Sequence, residues 1–155
     1  MSAAAPHLDQ FVKDWNRIHK QSAKVMQAAP DDKYDWKPVE SGMTLGELLN
    51  HVVQSEWGLV DAAFTGKWPE AGLPATATNT ADLMATFTKS HEECVARVAS
   101  LTPEQLGETI APFGPDKAMT RGALIHLLLE HEIHHRGQVY TYLRIAGAEV
   151  PPLFG

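Results

Sequence analysis

Four long segments of this chain carry apolar side chains at helical spacing, separated by Pro- and Gly-rich punctuation, and no segment alternates with the two-residue period of a strand. Such a chain must bury four stripes against one another. The first segment runs from about Leu8 to Ala28, with Phe11, Trp15, Ile18 and Val25 on one stripe, the small Ser22 completing the spacing, and Pro30-Asp31-Asp32 ending it. The second opens on Thr44-Leu45-Gly46-Glu47, a capping-box pattern, and continues through Leu48, His51, Val52, Ser55, Leu59 and Ala63 to Phe64, stopping near Gly66. The Pro-, Gly-, Ala- and Thr-rich stretch from Trp68 to Asn79 reads as a crossing loop. The third segment starts at Thr80 and puts Leu83, Phe87, Cys94 and Val98 on one face; Thr102-Pro103-Glu104-Gln105 then has the pattern of a short capped turn. The fourth runs from about Thr120 to Ala146, roughly 40 Å at 1.5 Å per residue, with Gly147 at a left-handed C-cap and Pro151-Pro152 preventing continuation. These segments predict an all-α four-helix bundle, a single domain over residues 1–155. At this length roughly 68–70% of the unfolded surface can be buried, so the core needs no staples.

Charge and cysteine narrow the function. Thirteen Lys+Arg against 19 Asp+Glu leave a formal charge of -6, which repels a phosphate backbone and offers no basic stripe to nucleic acid or anionic lipid. A lone cysteine, Cys94, forms neither an internal disulfide nor a thiolate cluster, and its place on the third apolar stripe marks it as core. The start Met1-Ser2-Ala3-Ala4-Ala5-Pro6-His7 lacks the pattern of a secretory leader, and no apolar run approaches the ~20 residues of a membrane span. A soluble, cytoplasmic protein acting on a small molecule is the expectation.

Histidine is the unbalanced residue: eight in all, with His126, His131, His134 and His135 inside ten residues. On a helical wheel His131 and His135 lie roughly 40° apart, one turn from each other, on a stripe shared with Leu124, Leu128, Gln138, Tyr142 and Ile145 that is expected to face the interior. Two interior imidazoles one turn apart are hard to satisfy by packing alone, whereas a divalent cation takes one nitrogen of each. A third ligand has to come from elsewhere, and His51 on the second helix, at the margin of its apolar face, is the candidate. Ser55 and Gly58 beside it are small enough to leave room for water or substrate. His126 falls on the solvated side, and His134, roughly 60° from His131, is near the pair without being needed for chelation. His7, His19 and His91 show no partner spacing, and His91 reads as a polar-edge residue of the third helix. Glu132 reads either as a base or support for the site or as a solvated flank.

His131-Glu132-Ile133-His134-His135 matches H-E-x-x-H, the zinc-protease pattern in which the glutamate is general base. The context does not follow: only twenty residues come after His135, with no histidine and only Glu149 acidic, Gly137 is one position early for the extended pattern, and no edge strand is predicted. A second pattern covers more of the chain. Met43-Thr44-Leu45-Gly46-Glu47-Leu48-Leu49-Asn50-His51 and His131-Glu132-Ile133-His134-His135-Arg136-Gly137-Gln138, followed by Tyr142-Leu143-Arg144 and Gly147, closely resemble the DinB family, also called DinB/YfiT-like. The resemblance extends from about Trp36-Lys37-Pro38 to the Pro151-Pro152-Leu153 tail.

What the resemblance implies is an up-down-down-up bundle, usually a homodimer, with a divalent metal on His51, His131 and His135, the trio the wheels select. The family includes metal-dependent hydrolase-like proteins and transferases that use low-molecular-weight thiols such as bacillithiol, mycothiol or glutathione. Three neutral imidazoles leave a cation an open position, and all-nitrogen ligation suits Zn, Ni, Fe or Cu over Mg or Ca. Hydrolysis and S-transfer to an electrophilic small molecule both follow from such a site. The alternative from another class is a stress-related bundle that binds metal or ligand without turnover.

Overall fold

A computed structural model describes residues 5–154, with side chains from Leu8 onward. The N-terminal stretch read for a leader, His7 included, lies outside the described side chains. Four long helices form the molecule: α1 (Ala5–Met26), α2 (Leu45–Thr65), α3 (Thr80–Ala99) and, after a one-turn α4 (Pro103–Gly107), α5 (Arg121–Ile145). Their limits follow local chemistry. Thr44 Oγ1 accepts the Glu47 amide at 3.1 Å while the Thr44 amide donates to the Glu47 carboxylate at 2.7 Å, which satisfies two of the amides a helix start leaves free. Thr102 and Gln105 repeat the device on α4. Gly147, at φ 78°, takes the left-handed conformation expected just past α5.

Side-chain bonds between helix ends fix the topology. Asn50, near the start of α2, donates to the Ala77 carbonyl and accepts from the Ala77 amide, just before α3, so α2 and α3 run parallel. Thr80 Oγ1 donates to the Ala29 carbonyl at 2.7 Å, which sets the end of α1 beside the start of α3 and makes those two antiparallel. Phe11 meets His126 and Gln21 meets Arg136, so α1 and α5 are parallel. The bundle is therefore up-down-down-up, with α1 and α2 each packed between α3 and α5. A long connection over 66–79 carries the chain back along the bundle.

Where the sequence predicts no strand, the 108–120 connection forms a two-residue antiparallel pair, β1 (Thr109–Ile110) with β2 (Met119–Thr120). It is too short to show alternation, and it closes the loop that carries Phe113. Arg121 anchors this end: its buried guanidinium donates to the carbonyls of Ala63, Phe64 and Gln105 and pairs with the Glu108 carboxylate. A cation there satisfies carbonyls that the end of α2 leaves open.

The core is two apolar clusters with a polar layer between them. Val25, Met26, Leu48, Leu49, Leu83, Phe87, Val139 and Leu143 belong to one, and Phe11, Trp15, Leu59, Cys94, Val98, Leu124 and Leu128 to the other. Each long helix contributes polar groups where it crosses from one cluster to the next: Ser22 from α1, Glu56 from α2, Ser90 and His91 from α3, Glu132 and Arg136 from α5, all buried. On α5 this corrects the sequence reading. Its buried stripe runs Leu124, Leu128, Glu132, Arg136, Val139, Leu143, centred roughly 90° around the helix from His131, whereas Ile145 is 61% exposed and Gln138 is exposed. Two charged side chains on the stripe disguise it, because a hydropathy wheel sends Glu and Arg to solvent.

Candidate metal centre

His51 from α2 and His131 and His135 from α5 meet across the seam between those helices, each half-buried. His51 Nε2 and His131 Nε2 each lie 3.1 Å from His135 Nε2. Ring centroids are 5.2 Å apart for His51 and His131, 4.5 Å for His51 and His135, and 4.3 Å for His131 and His135. The stagger of α5 by one turn supplies two of these rings, and its antiparallel run against α2 supplies the third. Nitrogens held tetrahedrally at ~2.0–2.1 Å from a zinc-sized ion are separated by roughly 3.3 Å, so the donor set fits such an ion.

The surroundings prepare the rings as ligands. His135 Nδ1 donates to Gln138 Oε1 at 2.7 Å, which leaves its Nε2 as a bare lone pair facing the other two. Ser55 Oγ lies beside the His51 ring, 3.3 Å from its Nδ1 and 3.4 Å from its Nε2. Burial, followed by the neighbouring His135, His51 and His134, pushes His131 down to about 4. Burial likewise lowers His51, with His135 adding to it, and lowers His135 against the opposing bond to Gln138. In all three, burial disfavours the charged ring and favours the neutral imidazole, the form that binds metal.

Two recesses flank His51. A pocket of about 290 Å³ is walled by His51, Gln54, Ser55, Leu59, Trp68, Leu73, Phe113, Leu127 and His131. On its other side a groove of about 460 Å³ is bordered by Ser41, Glu47, Asn50, His51, Gln54 and Thr76. Gly58 does not leave open space here as the sequence suggested. A Cβ on it would lie 2.8 Å from the Trp68 indole, so the missing side chain lets the edge of that ring approach α2 as a pocket wall. Trp68 and Phe113, from two different loops, stand 6.0 Å apart across the mouth.

The remaining histidines and Glu132 divide clearly. His134 is exposed and packs edge-on against His135 at 4.8 Å. His126 is exposed against Phe11, as the wheel predicted. Glu132 is 3% exposed, in the polar layer of the core, so the reading of it as a solvated flank is overturned, and it borders neither recess. Burial, and then the charge of Glu56, pushes its carboxyl up to about 7. His91 is not at a polar edge either: it is 5% exposed, bonded to Glu56 and Asn16 and stacked on His19. Sequence reasoning missed this second cluster because its members sit on four helices with no spacing in common. The signal lay in polar residues on apolar stripes, Glu56 between Val52 and Val60 and His91 between Phe87 and Cys94.

The family profile described as the DinB superfamily matches residues 14–139. The chain belongs to the DinB superfamily. The uncharacterized protein YjoA of Bacillus subtilis is 33% identical over 152 residues, covering 95% of this chain and 93% of that protein. The uncharacterized protein YrdA of the same organism is 28% identical, covering 96% and 88%. The crystal structure of YjoA, a DinB-like protein, superposes with a TM-score of 0.76 at 28% identity, covering 93% of this chain and 97% of that one. A DinB-like protein from Bacillus cereus shares the fold, with a TM-score of 0.80 at 20% identity, covering 94% and 97%. Among the described residues of this DinB chain, no helix is long and apolar enough to cross a membrane.

Proposed function

We propose that the chain is a divalent-metal-dependent enzyme that acts on a small, largely apolar electrophile. The observation that carries this reading is the convergence of three imidazole Nε2 atoms at the edge of an open pocket. His51, His131 and His135 hold the ion, with Zn or Ni the best match to an all-imidazole set and Fe or Cu next. An ion so held makes a coordinated water, or a low-molecular-weight thiol, acidic enough to be a nucleophile at neutral pH.

The chain's own residues supply the rest. Gln138 and Ser55 orient the ligand rings, and Trp68, Leu73, Phe113 and Leu127 exclude water from the bound electrophile. Among the described residues, neither recess is lined by Lys or Arg, so an anionic substrate finds no cationic partner apart from the ion. This favours a neutral ester or amide cleaved by water over transfer from a carboxylate-bearing thiol. The reading takes the chain as a single domain over residues 1–155, a homodimer as the family resemblance implies, working in the cytoplasm, where the buried Cys94 stays reduced.

Elemental analysis of the purified protein is expected to give about one transition-metal ion at this site, and the loaded protein is expected to hydrolyse neutral aryl esters. Turnover that requires an added thiol would replace hydrolysis by S-transfer. Metal binding with inertness toward every electrophile and thiol would make the chain a non-catalytic binding protein. A metal-free protein with no affinity for added Zn or Ni would end the reading.

A further inference from the structure

The polar layer at mid-height of the bundle contains a second convergence of donor atoms. His19 of α1, Glu56 of α2 and His91 of α3 each bring one ligand-type atom within 4.8 Å of the others. His91 Nδ1 is 3.0 Å and His19 Nδ1 is 3.9 Å from the same carboxylate oxygen, Glu56 Oε2.

Hydrogen bonding completes only part of this cluster. The His91 Nε2–H donates to Asn16 Oδ1 at 2.8 Å, which leaves His91 Nδ1 as a lone pair. That lone pair faces Glu56 Oε2 at 3.0 Å, a contact that the proton kept on the buried Glu56 carboxyl fills in the ion-free chain and that a bound cation would take over. Trp15 Nε1 donates to the same oxygen at 3.2 Å, from α1. Around it, among the described residues, His19 Nδ1 and Glu56 Oε1 are buried with no hydrogen-bond partner, and the buried Ser22 hydroxyl faces the Glu132 carboxyl. Buried polar atoms are rarely left unpartnered, and two in one cluster point to a missing guest. Metal sites in helical bundles are built in this way, from carboxylates and histidines of facing helices.

We infer that His19, Glu56 and His91 form a second, interior site for a divalent first-row transition ion, separate from the histidines of the α2–α5 seam. Two imidazole nitrogens and a carboxylate select Zn, Mn, Fe, Co or Ni over Ca or Mg. Asn16 holds His91 in the tautomer that presents Nδ1, the role a carbonyl or amide oxygen plays behind many metal-bound imidazoles. The His19 and His91 rings are stacked, 3.6 Å between centroids and 10° between planes, so an ion shared by both requires His19 to turn about its ring torsion. That turn would break its stacking on His91 and its packing on Phe87, with the metal bond to its unpartnered Nδ1 in exchange. The Glu132 carboxyl, from α5, faces the layer, and its ionised form would offset the second positive charge.

The test uses Co²⁺ as the probe in a variant that lacks the seam site, His131→Ala with His135→Ala, so that the outcome does not depend on the proposed activity. Equilibrium dialysis of the wild type should give two Co²⁺ per chain and of the double variant one, with a visible d–d spectrum lacking any thiolate band. Adding Glu56→Gln should reduce the double variant's affinity at least 100-fold, and adding His19→Ala instead should do the same. The His19 side chain is only 12% exposed, so far-UV circular dichroism and urea unfolding are recorded for each variant, and binding is compared only among variants that fold as the wild type does. A double variant that binds no Co²⁺, or one whose binding survives both Glu56→Gln and His19→Ala, would overturn the inference.

Discussion

His131 and Glu132 are neighbours in the chain but face different compartments: the His131 imidazole borders the open pocket at the α2–α5 seam, while the Glu132 carboxylate, 3% exposed, lies inside the bundle. A turn of about 100° per residue is enough to separate them. In the H-E-x-x-H pattern of a zinc protease the glutamate shares the metal's cavity, and here it does not. Glu132→Gln is therefore expected to leave metal content at the seam site unchanged, whereas His131→Ala should abolish it. Elemental analysis of both variants after gel filtration decides this, and equal metal loss in the two would reinstate the glutamate as part of that site.

Gln138 touches no recess, yet its side chain accepts from His135 Nδ1 at 2.7 Å. Gln138→Leu keeps the volume and removes the acceptor. Zinc affinity, measured by competition with a chromophoric chelator, should fall about 10- to 100-fold, the usual effect of losing a group that orients a ligand. Gln138→Glu should restore it. Affinity unchanged in Gln138→Leu would show that the bond does not orient the ring.

Burial pushes the Glu56 carboxyl up to about 8, with the Trp15 bond opposing weakly, against an ordinary value of 4.5. Between those two values the folded chain holds a proton that the unfolded chain has lost, so stability falls as pH rises, by about 1.4 kcal/mol per unit for one proton. His19 and His91, pushed down mainly by burial to about 3 and about 4, act in the opposite sense: their contribution is complete above the ordinary 6.5 and is lost as pH falls. From pH 6.5 to 8 the carboxyl effect stands clear of them. In chelator-treated protein, urea unfolding over this interval should show the decline in the wild type and a shallower one in Glu56→Gln. Parallel curves would mean that Glu56 carries no extra proton.

Arg121, at the start of α5, binds two carbonyls at the end of α2, the Gln105 carbonyl of α4 and the Glu108 carboxylate. Arg121→Ala orphans those carbonyls in a buried corner and should lower the unfolding free energy by on the order of 2–3 kcal/mol. The seam histidines, more than two turns of α5 away, should keep their metal affinity. Chemical denaturation and metal titration of one preparation measure both effects.

The helices were legible because their boundaries are local events. Thr44 with Glu47, Thr102 with Gln105, and Gly147 announce starts and stops that need no tertiary partner, and the stripes of α1 and α3 are apolar enough to show through. The trio His51, His131 and His135 was legible for the same reason on α5, where one turn separates the pair, and through the family resemblance for His51. What stayed hidden depends on other elements. Glu132 and Arg136 are buried only because Glu56, His91 and Ser22 meet them, and no single helix records that meeting. Trp68 and Phe113 wall the pocket from irregular loops, where side-chain direction has no period to reveal it.

The histidines of the seam stand on long helices, while Trp68, Leu73 and Phe113 stand on connections. Exchanging a residue on a helix disturbs two apolar clusters and a polar layer, but exchanging one on a connection disturbs little else. The two halves of the site can therefore change at different rates. A descendant of this chain can reshape the pocket by altering a few loop positions while keeping its three helix-borne histidines in place, and an engineer who wishes to redirect it has the same handle.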